Sequence, residues 1–258
     1  MQKEDSRFAE STIMEGMISF RAVIKGIEAG TNDRPVLRVL YDKNRTKQLA
    51  GHLSYIKAMH YQYGFELCPV DGGEIDALAT GTSHGGILTV CGQRSIPALT
   101  ADAISPKGFY ILTEGIEDPY NFGYALRSLY AAGVDGVILP PRNWMSAAGV
   151  VCRASAGASE QMKLYVADST DAADLFHEKG YRVLASDLAD SAPMWESDLT
   201  LPLLLIVGGE RRGISRALLS KCDGIVRIDY GREFSAALSA ASAATVLAFE
   251  VLRQNQTQ

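Results

Sequence analysis

Cysteine is sparse and unpatterned. Cys68, Cys91, Cys152 and Cys222 form no CxxC pair and have no histidine at ligand spacing, so neither a disulfide framework nor a metal site is read from them. They read as reduced, mostly buried small residues. Long apolar runs are missing too: none approaches the roughly 18 residues of a membrane span, and the opening MQKEDSRFAE is charged where a signal peptide is apolar. The expectation is a cytoplasmic chain with no membrane segment and no metal. Positive charge is short, with 25 Lys and Arg against 30 Asp and Glu, a net charge of −5. This balance argues against tight non-specific binding to nucleic acid and leaves room for a local basic patch. The common phosphate motifs also fail. Gly208-Gly209-Glu210-Arg211-Arg212-Gly213 has glutamate where a dinucleotide fingerprint needs its second glycine, and no Gly-Lys-Ser/Thr follows as in a P-loop.

What the chain has is apolar substance, 47% of 258 residues, enough for one large domain or two ordinary ones. Residues 1–96 read as a small α/β domain. Glu15 to Ala29 spaces Met17, Ile18, Ala22, Val23 and Ile27 on one helical stripe and stops at Gly30. Val36 to Tyr41, Phe65 to Val70 and Ile87 to Cys91 read as strands, and Leu53 to Tyr63 as a helix. Such alternation implies a helix-flanked sheet. Residues 97–107 hold Pro97 and Pro106 without any period, the expected linker.

Residues 108–258 read as a second α/β domain. Strand patterns at Gly108 to Thr113, Gly136 to Leu139, Leu164 to Ala167 and Arg182 to Ala185 alternate with helical ones at Tyr124 to Ala132 and Asp168 to Lys179. The loop opening with Ser186-Asp187 follows a strand's C-terminal end, where open α/β sheets place ligands. The most informative stretch is Leu203 to Gln254. Leu203 to Val207 is a wholly apolar run suited to a parallel strand buried on both faces, stopped by Gly208-Gly209. Glycines there let backbone approach a ligand closely, with free N–H groups and Glu210 facing it. A second strand, Gly224 to Ile228, leads into a helix expected from Phe234, whose first turns are nearly all Ala and Ser.

LLLIVGGERRGIS, then GIVRIDYG and LSAASAATVLAFEVLRQ, resemble the second and third motifs of the SpoU/TrmH family of RNA ribose 2'-O-methyltransferases. The first motif, Asn-x-Gly-x-x-x-Arg, matches at Asn121, Gly123 and Arg127. A Ser-x-Gly-Ala stretch between motifs matches at Arg153, Ser155, Gly157 and Ala158. GTSHGGILTV resembles the His-Gln-Gly signature of the family's N-terminal substrate-binding domain, with Gly85 in the Gln position. The resemblance implies a C-terminal α/β domain whose last segment threads a loop as a trefoil knot, a smaller N-terminal RNA-recognition domain, S-adenosylmethionine as cofactor, rRNA or tRNA as partner, and a homodimer formed through the C-terminal domain.

Carried over residue by residue, the resemblance assigns cofactor binding to Gly208, Gly209, Ile228 and Leu238. It assigns catalysis to Asn121, Arg127, Glu210 and Ser239, and RNA contact to His84, Arg153 and Arg211. A guanidinium is effectively never deprotonated, so Arg127 reads as a holder of phosphate and developing alkoxide rather than as a base. Glu210 reads as its orienting partner or as a ligand acceptor. Ser239 stands where the family has Asn, keeping a hydroxyl but losing the amide's donors. The residues also allow plainer roles: His84 shaping a turn, Asn121 capping a helix, Ser155 to Ala158 serving packing, and Arg127, Arg142, Arg153, Arg211 and Arg212 as solvated surface charges. A non-catalytic RNA- or cofactor-binding homologue of the same fold is the alternative that Ser239 and the net acidity favour.

Overall fold

The computed structural model describes residues 12–141, 147–209 and 212–256. In chain order the first elements are β1 (Thr12–Glu15), α1 (Gly16–Glu28), β2 (Val36–Asp42), α2 (Ala50–Tyr63), β3 (Glu66–Val70), α3 (Gly72–Leu78) and β4 (Ile87–Cys91). There follow β5 (Phe109–Glu114), α4 (Pro119–Ala131), β6 (Gly136–Leu139), α5 (Ala148–Ala154), α6 (Ala158–Gln161), β7 (Leu164–Val166) and α7 (Ser169–Glu178). The chain closes with β8 (Arg182–Ser186), β9 (Ala192–Pro193), β10 (Leu203–Gly208), α8 (Arg216–Leu219), β11 (Gly224–Arg227) and α9 (Ala240–Asn255). Two compact units result: one takes in the chain up to Ser95 and returns at Trp144–Gln161, the other holds Ile96–Asn143 and Met162–Gln258.

The first unit carries a four-stranded sheet in the order β1-β4-β2-β3, with β4 antiparallel to both neighbours and β3 parallel to β2. Helix α1 buries Phe20, Val23 and Ile24, while Ile18, expected on the buried stripe, is 66% exposed. The true stripe is rotated from the expected one because β1, unread in the sequence, fixes how α1 leaves Gly16 at a φ of +79°. Helix α3 was also unread: Gly72-Gly73 depresses helix propensity, yet Asp71 and Glu74 form a reciprocal capping box around its first turn.

Residues 151–161, read from sequence with the C-terminal domain, pack in the first unit. Missing Cβ atoms make that possible. A Cβ on Gly149 would stand 2.3 Å from the Ile13 carbonyl oxygen, one on Gly157 2.3 Å from the Ala22 Cβ, and one on Gly26 2.1 Å from the Glu160 carbonyl oxygen. Glu160 then anchors the segment. Its Oε2 accepts from Arg34 Nε at 3.0 Å and from Asn32 Nδ2 at 2.6 Å, and Arg34 is 1% exposed.

The second unit is a seven-stranded parallel sheet in the order β7-β6-β5-β10-β8-β11-β9. Leu203 to Val207 in β10 are buried between parallel neighbours β5 and β8, as a continuous apolar run requires. Phe176 of α7 and Tyr181 pack on Tyr110, Leu112, Val183 and Ile206 on one face. On α9, Leu247, Ala248 and Val251 are buried, and α9 packs against α4. Residues 97–107, expected as a linker, join this unit: Leu99 N–H donates to Val166 O at 2.9 Å, and Ile104 enters the core. Parallel pairing sets the C-terminal ends of β5, β10, β8 and β11 along one edge, where open sheets of this kind hold ligands.

Candidate active site

Loops at that edge enclose a cleft of about 260 Å³. Ser186, Asp187 and Leu188 follow β8, Val207 to Gly209 end β10, Arg227, Ile228 and Tyr230 follow β11, and Ala237, Leu238, Ala240 and Ala243 enter α9. The four residues expected at the cofactor, Gly208, Gly209, Ile228 and Leu238, thus lie together. Alanine methyls along the start of α9 keep the wall thin, and Asp187 is the sole carboxylate among the described lining residues. Arg227 is held by Asp229, 2.6 Å from Nε, and by the Ser191 carbonyl.

The glycines have a different cause from the one expected. A Cβ on Gly209 would meet the Gly115 carbonyl oxygen at 2.0 Å, and one on Gly208 the Gly213 carbonyl carbon at 2.9 Å. It is the protein's own backbone that crowds them. The Gly209 N–H, expected to face a ligand, donates to Glu114 O at 2.5 Å, and Gly213 N–H returns to Gly209 O at 3.1 Å. Glu114, unmarked in the sequence reading, also receives Ser215 N–H on its Oε2 at 3.1 Å. Its signal was available as an acid at the end of an apolar strand.

Helix α4 starts at Pro119, before the expected Tyr124, because the Asp118 carboxylate caps it by accepting from Asn121 N–H at 2.9 Å. Asn121 is therefore inside the first turn, and the cap is Asp118. Arg127 is exposed on the same helix, and its guanidinium makes no hydrogen bond or ion pair with the described residues. Helix α9 begins at Ala240, later than the expected Phe234. Ser239 is its cap, the hydroxyl accepting from Ser242 N–H at 3.2 Å. Residues 231–237 form an exposed loop, which includes residues 234–237, expected as the start of the helix.

Of the expected RNA contacts, His84 and Arg153 border one turn of the first unit: the Arg153 guanidinium and the Glu15 carboxylate face Gly81, and Gly16 faces the His84 carbonyl. His84 Nδ1 accepts from Gly86 N–H at 3.2 Å, which leaves the ring proton on Nε2, 3.2 Å from Asp76 Oδ1. It shapes the turn through Gly85 and Gly86, both at positive φ, as the plainer reading held. Arg153 is bound to Glu15 Oε2 at 2.9 Å, and the other oxygen of Glu15 accepts from Thr80 and Gly81 N–H groups. That guanidinium is a structural tie within the first unit, not a free phosphate ligand. Glu210, Arg211 and Arg142 lie outside the described residues. Burial pushes the Cys91 and Cys152 thiols up to about 12, fitting their expected inert role. No cluster able to hold a metal ion, and no helix long and apolar enough to cross a membrane, occurs among the described residues.

Known proteins share both sequence and architecture with this chain. Over 145 residues it is 32% identical to a putative TrmH family tRNA/rRNA methyltransferase of Staphylococcus saprophyticus, a match covering 56% of this chain and 58% of that one. The chain thus spans little over half of that relative. It is 28% identical to the 23S rRNA (guanosine-2'-O-)-methyltransferase RlmB of Shewanella oneidensis, covering 71% of this chain and 76% of that protein. An AdoMet-bound rRNA methyltransferase of Sinorhizobium meliloti superposes with a TM-score of 0.77 at 22% identity, over 98% of this chain and 91% of its own. The SpoU methyltransferase AviRb of Streptomyces viridochromogenes, in complex with AdoMet, gives 0.74 at 21% identity, over 98% and 93%. The SpoU rRNA Methylase family matches residues 108–249, more than half of the chain and all the strands that frame the cleft. The chain belongs to the SpoU rRNA Methylase family.

Proposed function

We propose that this protein transfers a methyl group from S-adenosylmethionine to a ribose 2'-hydroxyl of rRNA or tRNA. The observation that carries the proposal is the cleft at the ends of β8, β10 and β11, where the motif residues Gly208, Gly209, Ile228 and Leu238 meet. The RlmB relative, a guanosine-2'-O-methyltransferase, supports the ribose as acceptor. The lining fits the donor: small alanines leave room for a flat ring, backbone from three strand ends offers hydrogen bonds, and Asp187 suits a ligand with positive charge and hydroxyl groups. S-adenosylmethionine supplies the methyl group and, as a sulfonium, the leaving group.

The protein's own task is positioning. Holding the ribose oxygen in line behind the methyl carbon supplies about 7 kcal/mol or more of the barrier reduction. Bound in the cleft beside Gly208, Gly209, Ile228 and Leu238, the sulfonium would give its methyl group to the 2'-oxygen and depart as the neutral thioether, with the hydroxyl proton released to solvent. Arg127, exposed and with no side-chain partner among the described residues, holds the phosphate beside the target ribose and the charge growing on its oxygen. A homodimer through the second unit accords with Tyr124 of α4 and Phe249 of α9, 51% and 44% exposed on two helices that pack together. The knot belongs to the same proposal, and so does RNA recognition by the first unit.

The test is to incubate the protein with RNA and methyl-labelled donor. Label on ribose 2'-oxygens supports the reading, and label on a base overturns the ribose assignment. A binding-only homologue is the second reading, favoured by Ser239, whose hydroxyl caps α9 in place of the family's amide. It predicts calorimetric binding of S-adenosylmethionine without turnover.

A further inference from the structure

Residues 231–237, between β11 and α9, are exposed throughout. Among the described residues, one hydrogen bond holds this loop across its base: Leu238 N–H donates to the Tyr230 hydroxyl oxygen at 3.1 Å. The Tyr230 ring, 36% exposed, also receives Phe234, with ring centroids 6.0 Å apart and planes tilted by 57°. Phe234 itself is 60% exposed, so the ring contact alone buries little. Tyr230, Ala237 and Leu238 all line the cleft, which makes the loop one of its walls. A wall fixed by a single clasp is ordered at small enthalpic gain, and losing the clasp transfers the cost of ordering to the binding step.

We propose that Tyr230 is a positioning residue for the methyl donor: its hydroxyl holds Leu238, and through Leu238 the loop wall, in the binding-ready arrangement before the donor arrives. The inference rests on the reading of the cleft as the S-adenosylmethionine site. Tyr230 does not touch the reacting atoms; it acts through the Leu238 backbone.

The test uses the full-length protein and Tyr230→Phe, which keeps the ring on Phe234 and removes only the hydroxyl. A neutral hydrogen bond of ordinary strength sets the expected scale, a rise of about three- to tenfold in the dissociation constant and KM for S-adenosylmethionine. Turnover at saturating donor, the KM for RNA and the melting temperature stay as in the parent. Amide exchange at Leu238 accelerates in the free variant, and added donor slows it. A Tyr230→Phe protein that binds the donor as tightly as the parent sinks the proposal, as does one that loses turnover with KM unchanged. Failure of the parent itself to bind S-adenosylmethionine removes the donor reading, and this inference with it.

Discussion

Two helices of the family pattern each carry an arginine, and the structure gives the two opposite fates. In the first unit Arg153 of α5 closes on Glu15, while nearby Arg34 and Glu160 pair out of reach of water. In the second unit Arg127 of α4 stands exposed, its guanidinium with no partner among the described residues. The first unit uses charge to fasten a returning segment, a use that the second unit does not make of Arg127 among the described residues. Motif spacing identifies both arginines and cannot sort them, because sorting depends on whether a carboxylate lies within reach in space.

The sharpest way to break this contrast is Glu160→Ala, which leaves the buried Arg34 guanidinium without its carboxylate. The expected loss is about 3–5 kcal/mol of stability by denaturant titration, and a near-neutral result would dissolve the contrast from one side. Arg127→Ala is expected to leave the denaturation midpoint in place while lowering kcat by about a hundredfold or more, and retained turnover would dissolve it from the other. Arg153→Ala removes one of three partners of Glu15; a stability loss of about 1–2 kcal/mol is expected, with no change in the salt dependence of RNA binding. A flatter salt slope in a filter-binding series would return Arg153 to the phosphate contacts. The smallest effect belongs to Ser239→Ala, about 1 kcal/mol from the lost helix cap. A drop in turnover much larger than that loss explains would give Ser239 a role at the substrate.

Much of this was legible in the amino acids. The apolar run Leu203 to Val207 suits a strand covered on both sides, and the four residues expected at the cofactor meet at one edge because parallel strands bring their C-terminal ends together. Less legible were features set by contact between distant segments. The seam of residues 147–161 with the first unit depends on Gly26, Gly149 and Gly157, whose missing side chains signify only when the opposing carbonyl or methyl is known. The expected start of α9 lies too early because Ala236, Ala237 and Leu238 favour helix locally, whereas Ser239 fixes the boundary through its bond to Ser242. Tyr230 gave no sequence signal, since its hydroxyl partner is a backbone amide eight residues on.

The contact between Gly115 and Gly209 has a consequence for anyone wishing to reshape the cleft. With a Cβ on Gly209 facing an oxygen 2.0 Å away, any side chain there must displace backbone, and substitutions at this position are expected to cost stability. Diversity belongs on the opposite bank, at Ala237 and Ala243, where side chains already border the opening and a longer one has somewhere to go.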